Sequence, residues 1–165
     1  FDVRKGEILG IAGVEGNGQR ELVDMLFNLN VPDSGTAEVN GESIIGRPQR
    51  EIRDMGVSLI PEDRMTYGIA GSATIEENLM SDRIANKKYN KGALFNTQAM
   101  HDDSDQLIKD YKVLCKTRNQ QVGMLSGGNI QKVVVAREFS CNPGFIIADT
   151  RYRRRCYRVH QKEAC

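Results

Sequence analysis

No stretch of this chain is long and apolar enough to cross a membrane, and no signal peptide opens it. Its four cysteines lack metal-ligand spacing, which argues against a zinc site and suits a reducing cytoplasm. No internal repeat or low-complexity tract is present, and there is no initiator methionine. Phe1-Asp2-Val3 leads almost directly into a strand-like run, as the start of a fragment would. The net charge of +1 conceals an asymmetry: residues 151–165 carry six basic side chains against one acid, while the other 150 carry 17 against 21. A length of 165 residues suffices for one domain or part of one.

What the chain does have is two glycine clusters, each placed before a helical pattern. Residues 8–12 are apolar and follow the Lys5-Gly6 turn, so a buried strand is expected there. They run into Gly13-Val14-Glu15-Gly16-Asn17-Gly18-Gln19-Arg20, after which Leu22, Met25, Leu26 and Leu29 share one helical side. Strand, glycine-rich loop and helix are the context of a phosphate-binding P-loop, G-x-x-x-x-G-K-[ST]. Gly13 and Gly18 fit that spacing, and Gly16 and Asn17 lie between them. Gln19, however, stands at the lysine position and Arg20 at the Ser/Thr position. Neither can do the usual work, since the lysine reaches the β- and γ-phosphates and the hydroxyl holds Mg²⁺. A dinucleotide-binding reading is weaker, because the spacing is not G-x-G-x-x-G and no ribose-binding acid follows about 20 residues on.

The second cluster is Leu125-Ser126-Gly127-Gly128-Asn129-Ile130-Gln131-Lys132, which precedes Val133-Val134-Val135-Ala136. Ser126 is placed to cap a helix, and Gly127 and Gly128 let backbone N–H groups approach a ligand closely. The helix start adds a partial positive charge. For S-G-G alone, a capped helix after a tight turn is the simpler account. All eight residues together resemble the signature motif of ATP-binding-cassette (ABC) ATPases, in the LSGGNxQK form typical of bacterial sugar and nucleoside importers.

Other segments fit the same resemblance. Residues 31–35 form a turn and 36–41 an alternating strand ending in Asn-Gly, like the hairpin that flanks the nucleotide base in ABC domains. Residues 47–53 suggest a short polar helix and 55–60 a buried strand. Glu62, Asp63 and Arg64 follow it, and read alone are a solvated loop with local ion pairs. In the sugar-importer family a matching E-D-R lies where other ABC proteins place the Q-loop that touches the membrane subunit. Residues 75–139 read as mainly helical, broken at 87–92, with Leu107, Ile108, Tyr111 and Leu114 on one apolar face. His101 is expected on a helix surface, and Met65 and Met124 as packing residues. Phe145-Ile146-Ile147-Ala148-Asp149 is either a plain buried strand or a Walker B strand ending in the magnesium-coordinating Asp149. Thr150 stands where an active ABC ATPase has its catalytic glutamate, and the family's switch histidine is absent, His160 being no substitute.

The basic tail would ordinarily suggest a nucleic-acid or membrane-surface arm. Read one base later, however, the codons of residues 148–160 allow P-T-R-G-[IT]-D-V-G-A-[IT]-E-F-[IT]. The family carries a close match to that string from the Walker B strand through the D-loop. The expectation is therefore a reading frame disturbed at or just before Ala148, a tail without evolved function, and no nucleic-acid partner. Asp149 then becomes an accidental residue.

The resemblance implies an α/β P-loop NTPase (ABC ATPase) core with an antiparallel β subdomain and a helical signature subdomain, incomplete at its C-terminus. Its divisions are 1–74 for the P-loop core and β subdomain, 75–140 for the helical subdomain, 141–150 for the Walker B-like strand and 151–165 for the basic tail. It further implies the second, C-terminal cassette of a two-cassette importer for simple sugars or nucleosides, at the cytoplasmic face of the bacterial membrane. The partners would be another cassette, transmembrane permease subunits and, indirectly, a solute-binding protein. ATP and Mg²⁺ would be bound mainly through the partner cassette, and no residue of this chain is assigned a catalytic role or a resident metal. Two other readings stand beside this one. A self-sufficient soluble NTPase conflicts with the missing lysine and glutamate, and a non-functional truncated remnant agrees with the missing D-loop and strands.

Overall fold

The computed structural model describes residues 1–14, 16–91 and 94–149. Thr150, expected at the catalytic-glutamate position, and the basic tail at 151–165, expected to be frame-shifted, lie outside these residues. Helix α1 (Gln19–Leu26) follows the first glycine cluster, and the strands β1 (Glu38–Val39) and β2 (Glu42–Ser43) form an antiparallel hairpin. Asn40 and Gly41, at φ +54° and +80°, close it with the left-handed pair that two-residue hairpins need. The ordered ladder is shorter than the expected 36–41 strand, although Ile44 N–H still bonds the Ala37 carbonyl at 2.9 Å. Helix α2 (Gln49–Asp54) leads into β3 (Val57–Ile60), and a π-helical turn follows at Arg64–Gly68.

Helix α3 (Ile75–Met80) begins with a reciprocal cap that the sequence reading passed over. Thr74 Oγ1 accepts from Glu77 N–H at 3.1 Å, and the Glu77 carboxylate accepts from Thr74 N–H at 2.7 Å. Strands β4 (Asn90–Lys91) and β5 (Leu94–Phe95) pair antiparallel before α4 (Thr97–Asp110), which Asn96 caps through Ala99 N–H. A 3₁₀ turn at Val122–Met124 precedes α5 (Gly127–Phe139), and β6 (Phe145–Ala148) pairs parallel with β3, Val57 opposite Phe145 and Ile60 opposite Ala148.

Two apolar clusters hold these elements. Ile75, Leu79, Met80, Val122, Val133 and Val134 are buried among α3, α5 and the turn before α5, while Phe27, Ile44, Ile52, Val57 and Ile147 join α1, the hairpin, α2 and the sheet. Glu138 is completely buried beneath α2, held by both Nη atoms of Arg53 at 3.0 and 3.2 Å and by Arg137 at 2.9 Å.

Several expectations fail here for identifiable reasons. Residues 8–12 join no ladder, and Ile8 and Ile11 are 96% and 53% exposed. Among the described residues the parallel sheet consists of β3 and β6 alone, and apolar alternation without a strand partner leaves backbone groups to water. Leu29 falls past the end of α1, because Asn28 adopts φ +52° and ties its amide to Arg47 O and Gly46 N–H. Leu114 likewise lies beyond α4 and is exposed, since Lys112 at φ +52° turns the chain away. Met65 and Met124 are exposed rather than packed. His101 does sit on α4, half-buried, with Nδ1 2.7 Å from the Glu76 carboxylate.

Candidate functional site

The first glycine loop turns on Gly16 and Gly18, at φ +89° and +93°, a region that strains any residue with a Cβ. Gly18 occupies the N-cap position of α1, and its carbonyl accepts from Leu22 N–H at 3.0 Å. Asn17 N–H is taken inside the loop, by the Val14 carbonyl at 3.2 Å. The first N–H groups of α1 have no intrahelical acceptor, which suits an anion. A cavity of about 240 Å³ lies here, lined by Ile11, Gly13, Asn17, Gly18, Gln19 and Leu22. Gln19 folds back across the loop so closely that a Cβ on Gly13 would collide with its Nε2. The lysine position thus brings a neutral amide into the cradle.

Arg20 points elsewhere. Its Nη2 donates to the Tyr67 hydroxyl at 3.2 Å, its guanidinium carbon lies 5.6 Å from the Tyr67 ring centroid, and its Nε is 3.9 Å from Asp24. The hydrogen bond to Tyr67, then the charges of Tyr67, Asp24 and Asp149, raise its pKa above the ordinary arginine value. Asp149 continues the β6 ladder by one bond, its N–H donating to the Ile60 carbonyl at 2.9 Å. Arg20 thereby bridges the glycine loop to the turn that follows β3.

That turn is organised by the E-D-R residues. Asp63 accepts from Met65 N–H, Thr66 N–H and the Thr66 hydroxyl at 3.0, 3.1 and 2.6 Å. The Thr66 hydroxyl first, and the Thr66 backbone next, hold its carboxyl below the usual carboxylate range. Aspartate followed three residues later by threonine is a local side-chain-to-backbone signal that the sequence reading could have used. Glu62 is half-buried. Arg64 leaves the turn altogether and donates from Nη1 to Gln131 Oε1 at 2.6 Å, with the Gly127 carbonyl at 3.5 Å.

The second glycine cluster opens α5, but Ser126 does not cap it with its side chain. The Ser126 carbonyl accepts from Asn129 and Ile130 N–H at 2.8 and 2.9 Å, and its Oγ accepts from Asn129 Nδ2 at 3.1 Å. The orientation of that amide is forced. Leu114 N–H can only donate, so Asn129 Oδ1 must face it, at 3.0 Å, and Nδ2 must face Ser126. The Ser126 hydroxyl therefore accepts from that amide and does not donate to it. Leu125 anchors the loop in the core at 9% exposure. A Cβ on Gly127 or Gly128 would meet nothing within 4 Å, and neither glycine has a positive φ. The fold does not require glycine at either place. What glycine supplies there is an open helix start whose first N–H groups a ligand can reach.

The residues present can be set against Mg-nucleotide. The loop curvature and free helix N–H groups fit phosphates, but Gln19 has no charge and Arg20 no hydroxyl for a metal. Among the described residues no three His, Cys, Asp or Glu side chains converge as a metal-binding group. Mg²⁺ does not fit this chain's own loop.

The fold is that of an ABC ATPase cassette. The ABC transporter family model matches residues 1–151, and the chain belongs to that family. A dimeric ATP-binding cassette in a post-hydrolysis state bound to ADP and Pi is similar at a TM-score of 0.70 and 20% identity, covering 90% of this chain and 62% of that one. A nucleotide-free cassette from an ABC transporter gives 0.68 at 21% identity, covering 88% and 58%. A guanosine import ATP-binding protein of Bacillus subtilis is 37% identical over 148 residues, 90% of this chain and 29% of that protein. A ribose import ATP-binding protein of Cereibacter sphaeroides is 34% identical over 150 residues, again 90% and 29%. The chain therefore spans under a third of the length of these importer proteins. Among the described residues no helix is long and apolar enough to cross a membrane.

Proposed function

We propose that this chain is the second cassette of a two-cassette importer ATPase for simple sugars or nucleosides, acting at the cytoplasmic face of the bacterial membrane. Its task is to present the signature loop to ATP and Mg²⁺ held by the partner cassette, while its own glycine loop is degenerate. The observation that carries this reading is the open start of α5. Gly127 and Gly128 are glycines that the fold does not need, and the adjacent Ser126 hydroxyl, accepting from Asn129, keeps its proton for another acceptor. Such a loop offers N–H and O–H donors to a terminal phosphate arriving from outside the chain. The turn carrying Glu62, Asp63 and Arg64 would meet the permease, and a solute-binding protein would act through that permease. The altered reading frame near Ala148 belongs to the same proposal, and sequencing the underlying DNA tests it.

The function is tested in a full-length protein, its frame restored, assembled with its membrane subunits. Gly128→Asp adds bulk and negative charge at the helix start. Transport-coupled ATPase activity should fall by about 10²–10³-fold, as on removal of an oxyanion-type donor. The partner's affinity for ATP should change little, because its own P-loop makes most contacts. Unchanged turnover would reduce the loop to a helix start without a ligand.

The exposure of Ile8, Ile11 and Val14 favours a second reading, a remnant whose sheet lacks partners. Failure of the purified chain to give a cooperative thermal transition would support it.

A further inference from the structure

Among the described residues, 8–13 make no backbone hydrogen bond, and Ile8, Leu9, Ile11 and Val14 stand exposed. Strand β6 has the complementary deficiency. Phe145 N–H donates to the Gly56 carbonyl at 3.1 Å and Asp149 N–H to the Ile60 carbonyl at 2.9 Å, with Val57 opposite Phe145. In a parallel ladder that register turns the backbone groups of Phe145 and Ile147 toward β3, and those of Ile146 and Ala148 to the other side. Among the described residues no strand lies there. Open edges of this kind are usually blunted by lysine or proline. Neither occurs within 8–14 or 145–148, and neither stretch carries a charged side chain.

We propose that residues 8–12 of one molecule add as a third strand to the β6 edge of a second copy, and reciprocally, in a two-fold dimer. The inference stands apart from the signature-loop reading. Each copy carries both halves of the contact, so a two-fold axis satisfies both at once and closes the assembly. Residues 8–12 are long enough to span the four of β6. Their exposed side chains, with Val14, leave apolar surface on the order of the ~300–600 Å² of a monomer's largest patch, a size that marks interaction sites. Two-fold pairing uses segment and edge of both copies, which brings the buried area to the order of the ~1,200–2,000 Å² of a stable interface. Charge sets the direction. Glu7 precedes the segment and Asp149 follows β6, so parallel addition keeps the two carboxylates at opposite ends.

The test is sedimentation velocity of the purified protein. The unmodified chain should sediment as a dimer at about 100 µM. Ile11→Lys, at an exposed position that leaves the core alone, should weaken dimerisation by at least about tenfold. Ala148→Pro removes an outward N–H while the flanking residues keep their bonds to β3, and should do the same. Ile84→Lys places the same charge on another exposed apolar residue and should leave the dimer unchanged. Amide exchange in peptides covering residues 8–13 and β6 should slow in the dimer, and that of α4 should not. A monomer at about 100 µM, growth beyond a dimer, equal weakening by Ile84→Lys or unslowed exchange at 8–13 would each overturn the proposal. No ATPase activity enters this measurement, so its failure and that of the Gly128→Asp experiment are read separately.

Discussion

Arg64, in the turn after β3, reaches Gln131 on α5 with its Nη1 2.6 Å from Oε1, across 67 residues of sequence. The turn after β3 and the start of α5 are thereby tied together by a side-chain hydrogen bond. Gly68 tightens it, since an added Cβ would lie 3.3 Å from both Arg64 Cβ and Val134 Cγ2. A displacement of the turn would be felt at the start of α5.

Arg64→Ala should therefore loosen the signature loop without unfolding the core. The expected loss is about 1 kcal/mol of stability, the ordinary net worth of a hydrogen bond. Amide hydrogen exchange should accelerate in peptides covering Ser126 and the first turn of α5, while peptides from α3 stay protected. Equal exchange in both proteins would mean the two segments are held independently.

Asn129→Asp is nearly isosteric and tests the forced orientation of the Ser126 hydroxyl. Leu114 N–H would keep a carboxylate acceptor, but the other oxygen cannot donate, so Ser126 would turn its proton inward. In the assembled importer, ATPase activity should fall by about 10²-fold or more, with the melting temperature nearly unchanged. Full activity would show that Ser126 donates nothing to the phosphate.

Repair of the glycine loop by Gln19→Lys with Arg20→Ser should separate binding from hydrolysis. The lysine supplies the missing charge and the serine a hydroxyl for Mg²⁺. Calorimetry should show tighter binding of Mg-ATP than in the unmodified protein. Phosphate release should stay at background, because Thr150 offers no carboxylate to orient water. Substantial turnover by the repaired protein alone would establish a self-sufficient NTPase.

Arg53→Ala should be costly for a different reason. It removes a bidentate partner from Glu138, which is fully buried and would keep only Arg137. Leaving a buried carboxylate half-compensated is expected to cost about 3 kcal/mol, seen as a lower denaturant midpoint. Removing both members, as Arg53→Met with Glu138→Leu, should recover much of that loss.

The glycine clusters were legible because they are local. Loop curvature at Gly16 and Gly18, and the open helix start at Gly127 and Gly128, depend on residue type and short spacing. The departures Gln19 and Arg20 were equally plain, being read position by position. Element types along the chain also followed from periodicity, including the Asn40-Gly41 hairpin, α4, α5 and the β3 and β6 runs. Asp63 with Thr66, and Thr74 with Glu77, are local signals of the same kind that went unread.

Sequence by itself thus determined which chemistry the chain can offer: uncharged Gln19 in one loop, open glycine donors in the other. Only the tertiary structure decided how those groups are held. The Tyr67 that steadies Arg20, the Leu114 N–H that orients Asn129 and the Gln131 that receives Arg64 are distant in sequence, and no periodicity encodes such pairings. Ser126 was expected to cap its helix, yet its hydroxyl went to Asn129, because a backbone donor from another segment had already claimed the other end of that amide. Residues 8–12 show the same limit in the opposite direction. Their apolar run favours a strand, but a strand needs hydrogen-bonding neighbours, and neighbours are supplied by the fold rather than by the run.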